Sequence, residues 1–148
     1  LDAMSEEKWD RILAVNLKGP FFCIRAAAPL LRAGEGGAVV NISSVAGISG
    51  LGSSIAYCAS KGALNTLTKS LARALAPQIR VNAVCPGPID TRWLRSVMSE
   101  EQLQSRTAAS PLPRPAQPDD IADAVIYLAT GTTLTTGQLL VVDGGRTM

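Results

Sequence analysis

The sequence contains no histidine. That one absence removes Ser-His-Asp hydrolysis, histidine-ligated zinc and imidazole general bases together. Tyrosine, lysine, carboxylates and cysteine are what remain for moving protons. Cysteine is scarce as well. Cys23, Cys58 and Cys85 are odd in number and lack metal-ligand spacing. This argues against a disulfide framework and fits a reducing cytosol, and each cysteine reads as a small buried apolar residue. The formal net charge is +2 with no block of like charge, so nothing points to nucleic acid or a membrane surface. No apolar run approaches the ~20 residues of a membrane span, and no signal-peptide pattern opens the chain. A cytoplasmic location is the expectation. A last absence concerns glycine. No glycine-rich turn opens a helix after a first strand, and no acidic residue follows a second strand in the dinucleotide-binding arrangement. Gly47, Gly50 and Gly52 do follow a strand, but they match that arrangement poorly.

What is present is an ordinary globular balance. The 148 residues are 47% hydrophobic and 18% charged, enough for one domain with a modest core. Ser5 to Arg32 reads as a helix capped by Ser5, with Glu6 and Glu7 at the positive end of its dipole. Trp9, Ile12, Leu13, Leu17, Phe21, Ile24, Ala28 and Leu31 form its apolar stripe, which reads as core packing. Pro20 and Pro29 fall inside that pattern and are expected to kink or break it. Ala38 to Ser43 is a short apolar strand of the kind covered on both faces. Ile55 to Ala76 is a second long helix, ended by Pro77, and Arg80 to Val84 a second strand. Thr91 to Pro118 has weak periodicity, with a short helix expected from Ser99 to Arg106. Pro118 at the first helical position, followed by Asp119 and Asp120, starts a third long helix. Leu139 to Val142 is the last strand. Strands alternating with helices imply βαβ units and a parallel sheet, whose ligands bind outside the carboxyl ends of the strands.

The chain is organised around Asn41 to Lys61. A strand ends in Ser43-Ser44, a glycine-rich connection follows, and a helix opens with Tyr57-x-x-x-Lys61. Positions four apart share a helix face, so the phenol and the ammonium are neighbours. Tyrosine in water has a pKa near ~10, and a nearby cation favours the phenolate. Tyr57 and Lys61 therefore make a general acid/base pair, and Ser44 can reach the same point to hold a substrate oxygen. Taken alone, Tyr-x-x-x-Lys is a weak signal, since many solvated helix faces carry it.

The ordered set is far more specific: N-L-K-G, N-I-S-S-V-A-G, Y-C-A-S-K, R-V-N-A-V-C-P-G-P-I-D-T, P-D-D-I-A and T-G-Q-L-L-V-V-D-G-G. Over nearly its whole length the chain resembles the short-chain dehydrogenase/reductases. Their signature is a serine, a tyrosine thirteen residues on, and a lysine four further, the spacings of Ser44, Tyr57 and Lys61. The resemblance implies an α/β fold, part of a Rossmann-like doubly wound parallel sheet made of the last three strands and their helices. Residues 1–148 would be the carboxyl-terminal part of one such domain. At ~30 residues per βαβ unit, on the order of 90 residues with the phosphate-binding turn would precede it.

It also implies roles. Tyr57 would exchange a proton with the substrate oxygen. Lys61 would tune Tyr57 and bind the nicotinamide ribose. Ser44 would hold the substrate carbonyl, and the main-chain carbonyl of Asn16 would hold a relay water. Pro86, Gly87 and Ile89 would border the nicotinamide, and Thr91 would touch the cofactor. Trp93, Leu94 and Met98 would supply an apolar wall in the substrate loop. The implied activity is hydride transfer between NAD or NADP and a carbonyl or secondary alcohol. The implied assembly is a homodimer or homotetramer built on the first two long helices. No metal is called for. The alternatives are an inert fragment or dimerisation module, and an epimerase or dehydratase of the family's extended branch. The six residues after Val142 leave no room for the added substrate domain of that branch. The isolated chain is expected to show neither activity nor cofactor affinity.

Asn16 carries one expectation from local chemistry. A helical carbonyl accepts from the N–H four residues on, which here is Pro20, and proline has none. A kink or bulge is expected between Asn16 and Phe21, with the Asn16 oxygen turned towards Lys61 and free for water.

Overall fold

A computed structural model describes residues 4–34 and 36–148. Helix α1 (Glu6–Leu13) starts where Ser5 Oγ accepts the Lys8 N–H at 3.3 Å. It passes into a π-helical segment, Ala14–Lys18, and then α2 (Gly19–Ala33). The Gly19 N–H reaches back to the Ala14 carbonyl, five residues away. The interruption expected beside Pro20 is therefore present as a π-bulge one turn before the proline. At Pro29 there is no break, because α2 continues through it. Pro29 is exposed, so its ring occupies the solvent side of the helix rather than the packed side.

Strand β1 (Gly37–Ile42) leads through the short α3 (Ala46–Ser49) to α4 (Ile55–Leu75). Strand β2 (Ile79–Pro86) follows, then α5 (Arg92–Val97), α6 (Glu100–Ser105), α7 (Pro118–Thr130) and β3 (Leu139–Val142). The order in the sheet is β1-β2-β3, and both pairings are parallel. Two layers cover the sheet. On one face Ile24, Ala28, Ala72 and Leu75 of α2 and α4 pack with Ile79, Val81 and Val39. On the other, Ile121 and Leu128 of α7 pack with Val84, Val40 and Leu140. A fold of this kind is stabilised mainly by such apolar burial.

Buried polar residues set the register. Asn82, fully buried in β2, donates to the Thr135 carbonyl at 2.9 Å and accepts the Gln138 N–H at 2.9 Å, which fixes the entry to β3. Arg80 donates to the Leu128 and Ala129 carbonyls at 2.7 and 2.8 Å, placing a cation on the negative end of α7. Gly144 and Gly145 hold positive φ of 69° and 82° while packed on Leu112 and Pro111, so the Pro-rich connection lies against the end of β3. A Cβ on Gly144 would sit 2.8 Å from the Leu112 carbonyl.

Candidate active site

The carboxyl end of the sheet gathers most of the residues singled out above. Ser44 lies two residues beyond the end of β1 and its Oγ accepts the Ala46 N–H at 3.1 Å, so it anchors the first turn of α3. Ser54 caps α4 by accepting the Tyr57 N–H at 3.1 Å, which places Tyr57 in the opening turn. Lys61, one turn on, directs its Nζ to the Ile42 carbonyl at 2.8 Å and lies 5.8 Å from the centroid of the Tyr57 ring. Burial pushes its ammonium below the usual value of 10.5, opposed in part by Cys85 where that thiol is ionised. A lysine held in this way has a lowered cost of losing its proton.

Close packing fixes α3 against α4. A Cβ on Gly47 would lie 2.5 Å from the Lys61 carbonyl carbon, and one on Gly52 would lie 2.8 Å from Cys58 Sγ. Only glycine lets the connection approach the helix that carries Tyr57 and Lys61. Beneath this contact is a polar cluster that sequence reasoning did not find. Ser43 Oγ lies 2.6 Å from Asn65 Oδ1 and 3.2 Å from the Lys61 carbonyl. Asn65 Nδ2 donates to the Gly47 carbonyl at 3.3 Å, and Cys85 Sγ lies 3.7 Å from Asn65 Oδ1. Burial pushes the Cys85 thiol above its usual 9.0, while Ser43, Ser44 and Lys61 pull the other way. Asn65 thus links the ends of β1 and β2 to α3. Asn65 is buried, and a buried amide needs partners, which it finds here.

Asn16 reaches the same helix through its side chain. Its Nδ2 donates to Ser60 Oγ at 3.0 Å, and Ser60 donates onward to the Tyr57 carbonyl at 2.7 Å. Ser60 is fully buried. The π-bulge is what turns Asn16 to this position.

Beyond β2, Gly87 packs tightly against β3, where a Cβ would lie 2.8 Å from that of Asp143. Ile89 forms a parallel bridge with Ala116, and the Asp90 N–H donates to the Ala116 carbonyl at 2.8 Å. Thr91 caps α5, its Oγ1 accepting the Leu94 N–H at 3.2 Å. Asp143 is bound to its own turn, accepting from the Gly145 and Thr147 N–H groups at 2.9 Å each. A cavity of about 510 Å³ adjoins Ser44's neighbour Val45. It is lined by Ser49 and Leu51, by Arg106 and Ser110, and by Arg146. Trp93, Leu94 and Met98 do not line it. Trp93 is 68% exposed, and Leu94 and Met98 are half-buried.

The donor set suits the sugar and ring end of a dinucleotide: a phenol, an ammonium and a hydroxyl on one side, a Pro-Gly turn on the other. It does not suit the pyrophosphate, because the glycines that follow β1 are packed against α4, where a Cβ on Gly47 would meet the Lys61 carbonyl carbon and one on Gly52 would meet Cys58 Sγ. The fold and this edge define a Rossmann-like α/β protein. The family profile described as enoyl-(acyl carrier protein) reductase matches residues 1–147. The chain belongs to the short-chain dehydrogenase/reductase family. It is 46% identical over 132 residues to the short-chain dehydrogenase/reductase homolog YusR of Bacillus subtilis, covering 89% of this chain and 100% of that one. It is 38% identical to the 3-oxoacyl-[acyl-carrier-protein] reductase FabG of Thermotoga maritima, over 96% of this chain but 58% of that protein. The structure of a 4-hydroxyisoleucine dehydrogenase mutant complexed with NADH and succinate superposes with a TM-score of 0.90 at 34% identity, over 98% of this chain and 61% of that one. ElxO with NADP bound gives 0.88 at 32%, over 99% and 60%.

Proposed function

We propose that this chain is the catalytic, carboxyl-terminal part of a Rossmann-like domain that transfers a hydride between NAD or NADP and a carbonyl or secondary alcohol. The observation that carries this reading is Lys61, whose Nζ lies beside both the Tyr57 ring and the end of β1. The cofactor, when bound, supplies or accepts the hydride. Tyr57 gives the substrate oxygen its proton on reduction and takes it back on oxidation. Ser44 holds that oxygen by a hydrogen bond as charge develops on it. Lys61 favours the phenolate and binds the ribose hydroxyls. Asn16 steadies the turn of α4 through Ser60, and its carbonyl holds the water that passes protons to Lys61. Pro86, Gly87, Ile89 and Thr91 border the ring and amide. A small substrate enters by the cavity beside Val45, whose volume falls in the usual range for such ligands.

Both NADH and NADP occur in the structures that resemble this chain, so the cofactor is given as either. Subunits associate through the two long helices of the sequence, α1–α2 and α4, as a homodimer or homotetramer, and Phe21, Phe22 and Leu30 of α2 are exposed. Among the described residues no helix N-terminus offers a phosphate cradle, so the chain alone is expected to bind neither cofactor. Calorimetric titration with NADH and NADPH tests that, and saturable binding to the 148-residue chain overturns it. In a complete protein containing this part, Tyr57→Phe lowers kcat by on the order of 10²-fold or more. Lys61→Ala also weakens cofactor binding. Unchanged turnover in Tyr57→Phe rejects the assignment.

A further inference from the structure

Two arginines meet in the cavity beside Val45. Arg106 follows the last residue of α6, and Arg146 lies in the turn after β3. No aspartate or glutamate lines that cavity. Elsewhere on the same part of the chain arginines are paired, Arg95 with Asp90 and Arg114 with Asp120. Among the described residues Arg106 and Arg146 form no ion pair and donate no side-chain hydrogen bond. The carboxylate closest to Arg146 in sequence, Asp143, is taken up by its own turn. One of its oxygens accepts the Gly145 N–H, and the other accepts the Thr147 N–H and hydroxyl. Two like charges on one small cavity repel, and an anion bound there removes that cost.

A third residue points to the same ligand. Ser110 is 8% exposed, and its hydroxyl has no hydrogen-bond partner among the described residues. No fully enclosed side-chain oxygen among them lacks a partner, so this hydroxyl opens to the surface of the cavity that Ser110 lines. A buried hydroxyl needs a partner, and here the partner has to come from the cavity. The helix ends decide the charge. α3 and α6 reach the cavity through Ser49 and Ser105, their last residues. Such ends expose carbonyl oxygens rather than N–H groups. Phosphates are characteristically held on helix N–H groups, and these ends supply none. A single carboxylate, matched by guanidinium forks and one hydroxyl, suits the lining better than a dianion.

We infer that the substrate is a carbonyl compound that carries a carboxylate, with the corresponding hydroxy acid as its reduced form. Arg106 and Arg146 bind the carboxylate and Ser110 donates to it, so the three select the substrate and take no part in the proton transfer. That the anion belongs to a substrate rests on the function proposed above. That the cavity takes a carboxylate rests only on its lining.

The test titrates the 148-residue chain with levulinate, a small keto acid, and with levulinamide, its neutral counterpart, read by nuclear magnetic resonance. The expected result is saturable binding of levulinate, with shifts at the Val45 and Ser110 amides and at the Nε–H groups of Arg106 and Arg146. Levulinamide should bind at least ~10-fold more weakly, and so should levulinate to the Arg106→Gln or Arg146→Gln chain. Arg92→Gln removes an equal charge from α5, outside the cavity, and should leave the affinity unchanged. Equal affinity for acid and amide overturns the proposal. So does levulinate that fails to saturate, or affinity unmoved by both cavity substitutions. Inorganic phosphate that binds more tightly than levulinate overturns the carboxylate assignment. Levulinate that binds as expected, while Tyr57→Phe leaves turnover of a complete protein unchanged, keeps the carboxylate site and rejects the hydride-transfer reading.

Discussion

Strands β1 and β2 are neighbours in one sheet, both apolar and both covered by helices on two faces. Yet every residue of β2 but Arg80 is buried, whereas in β1 only Gly37 and Asn41 are. Ile79 at the start of β2 is 1% exposed, and Ile42 at the end of β1 is 46% exposed. The difference lies in the edges. A parallel strand is fully dry only when strands flank it on both sides, and hydrophobicity along the sequence reports faces, not edges.

The largest test of this contrast is a pair of truncations. Ile79→Ala should cost about 2–5 kcal/mol, because it opens a cavity in a closed core. Ile42→Ala should cost under ~1 kcal/mol, the cost of a side chain already half in water. Urea unfolding of both variants measures the gap, and equal losses would end the comparison.

Next comes the register of β2. Asn82→Leu leaves the Gln138 N–H without its partner and the Thr135 carbonyl with only the 3.3 Å contact from Arg80, at a cost of about 1–3 kcal/mol. Its counterpart in β1 is Asn41, whose Nδ2 donates to Thr68 Oγ1 at 2.9 Å. Asn41→Leu frees only a hydroxyl that already donates to the Leu64 carbonyl, so the loss should be the smaller of the two. Thermal melts of the pair sharpen the contrast, and the reverse order would show that β1 is the better-fixed strand.

The smallest effect is a matter of pH. The Cys85 thiol titrates above its usual 9.0 because it is buried. A raised pKa contributes stability that is complete below the unfolded value and lost as pH rises through the folded one. The stability difference between the native chain and Cys85→Ala should therefore shrink as pH climbs past 9.0. Melting temperatures taken across that alkaline range decide it.

The strands, the long helices and the Ser44–Tyr57–Lys61 edge were legible because each rests on a strong local pattern. Pro118 and Ser5 announce helix starts through chemistry confined to one turn. Helix α5 was not legible, since it is six residues long and leaves Trp93 in solvent, so no apolar stripe marks it. The lining of the cavity beside Val45 was hidden for another reason. Arg106, Ser110 and Arg146 meet Val45 only because the chain returns there, and no periodicity encodes a return. Asn65 falls between these cases. Its place in the long helix follows from the sequence, but its link to Ser43 and Gly47 exists only in three dimensions.

The π-bulge at Ala14–Lys18 behaves as an inserted residue, one more than an α-helix of that length would hold. It acts like the offset between two gears on one shaft. Removing Val15, which is 65% exposed and packs on little, would let α1 and α2 close into a regular helix. Everything before the deletion would then turn by about 100° and advance by about 1.5 Å. Helix α1, which packs on α4, would turn a different face to it, although no residue of α1 had been changed. A family alignment would score such a chain as missing a single surface residue. Its first helix would nonetheless present a different face to the rest of the molecule.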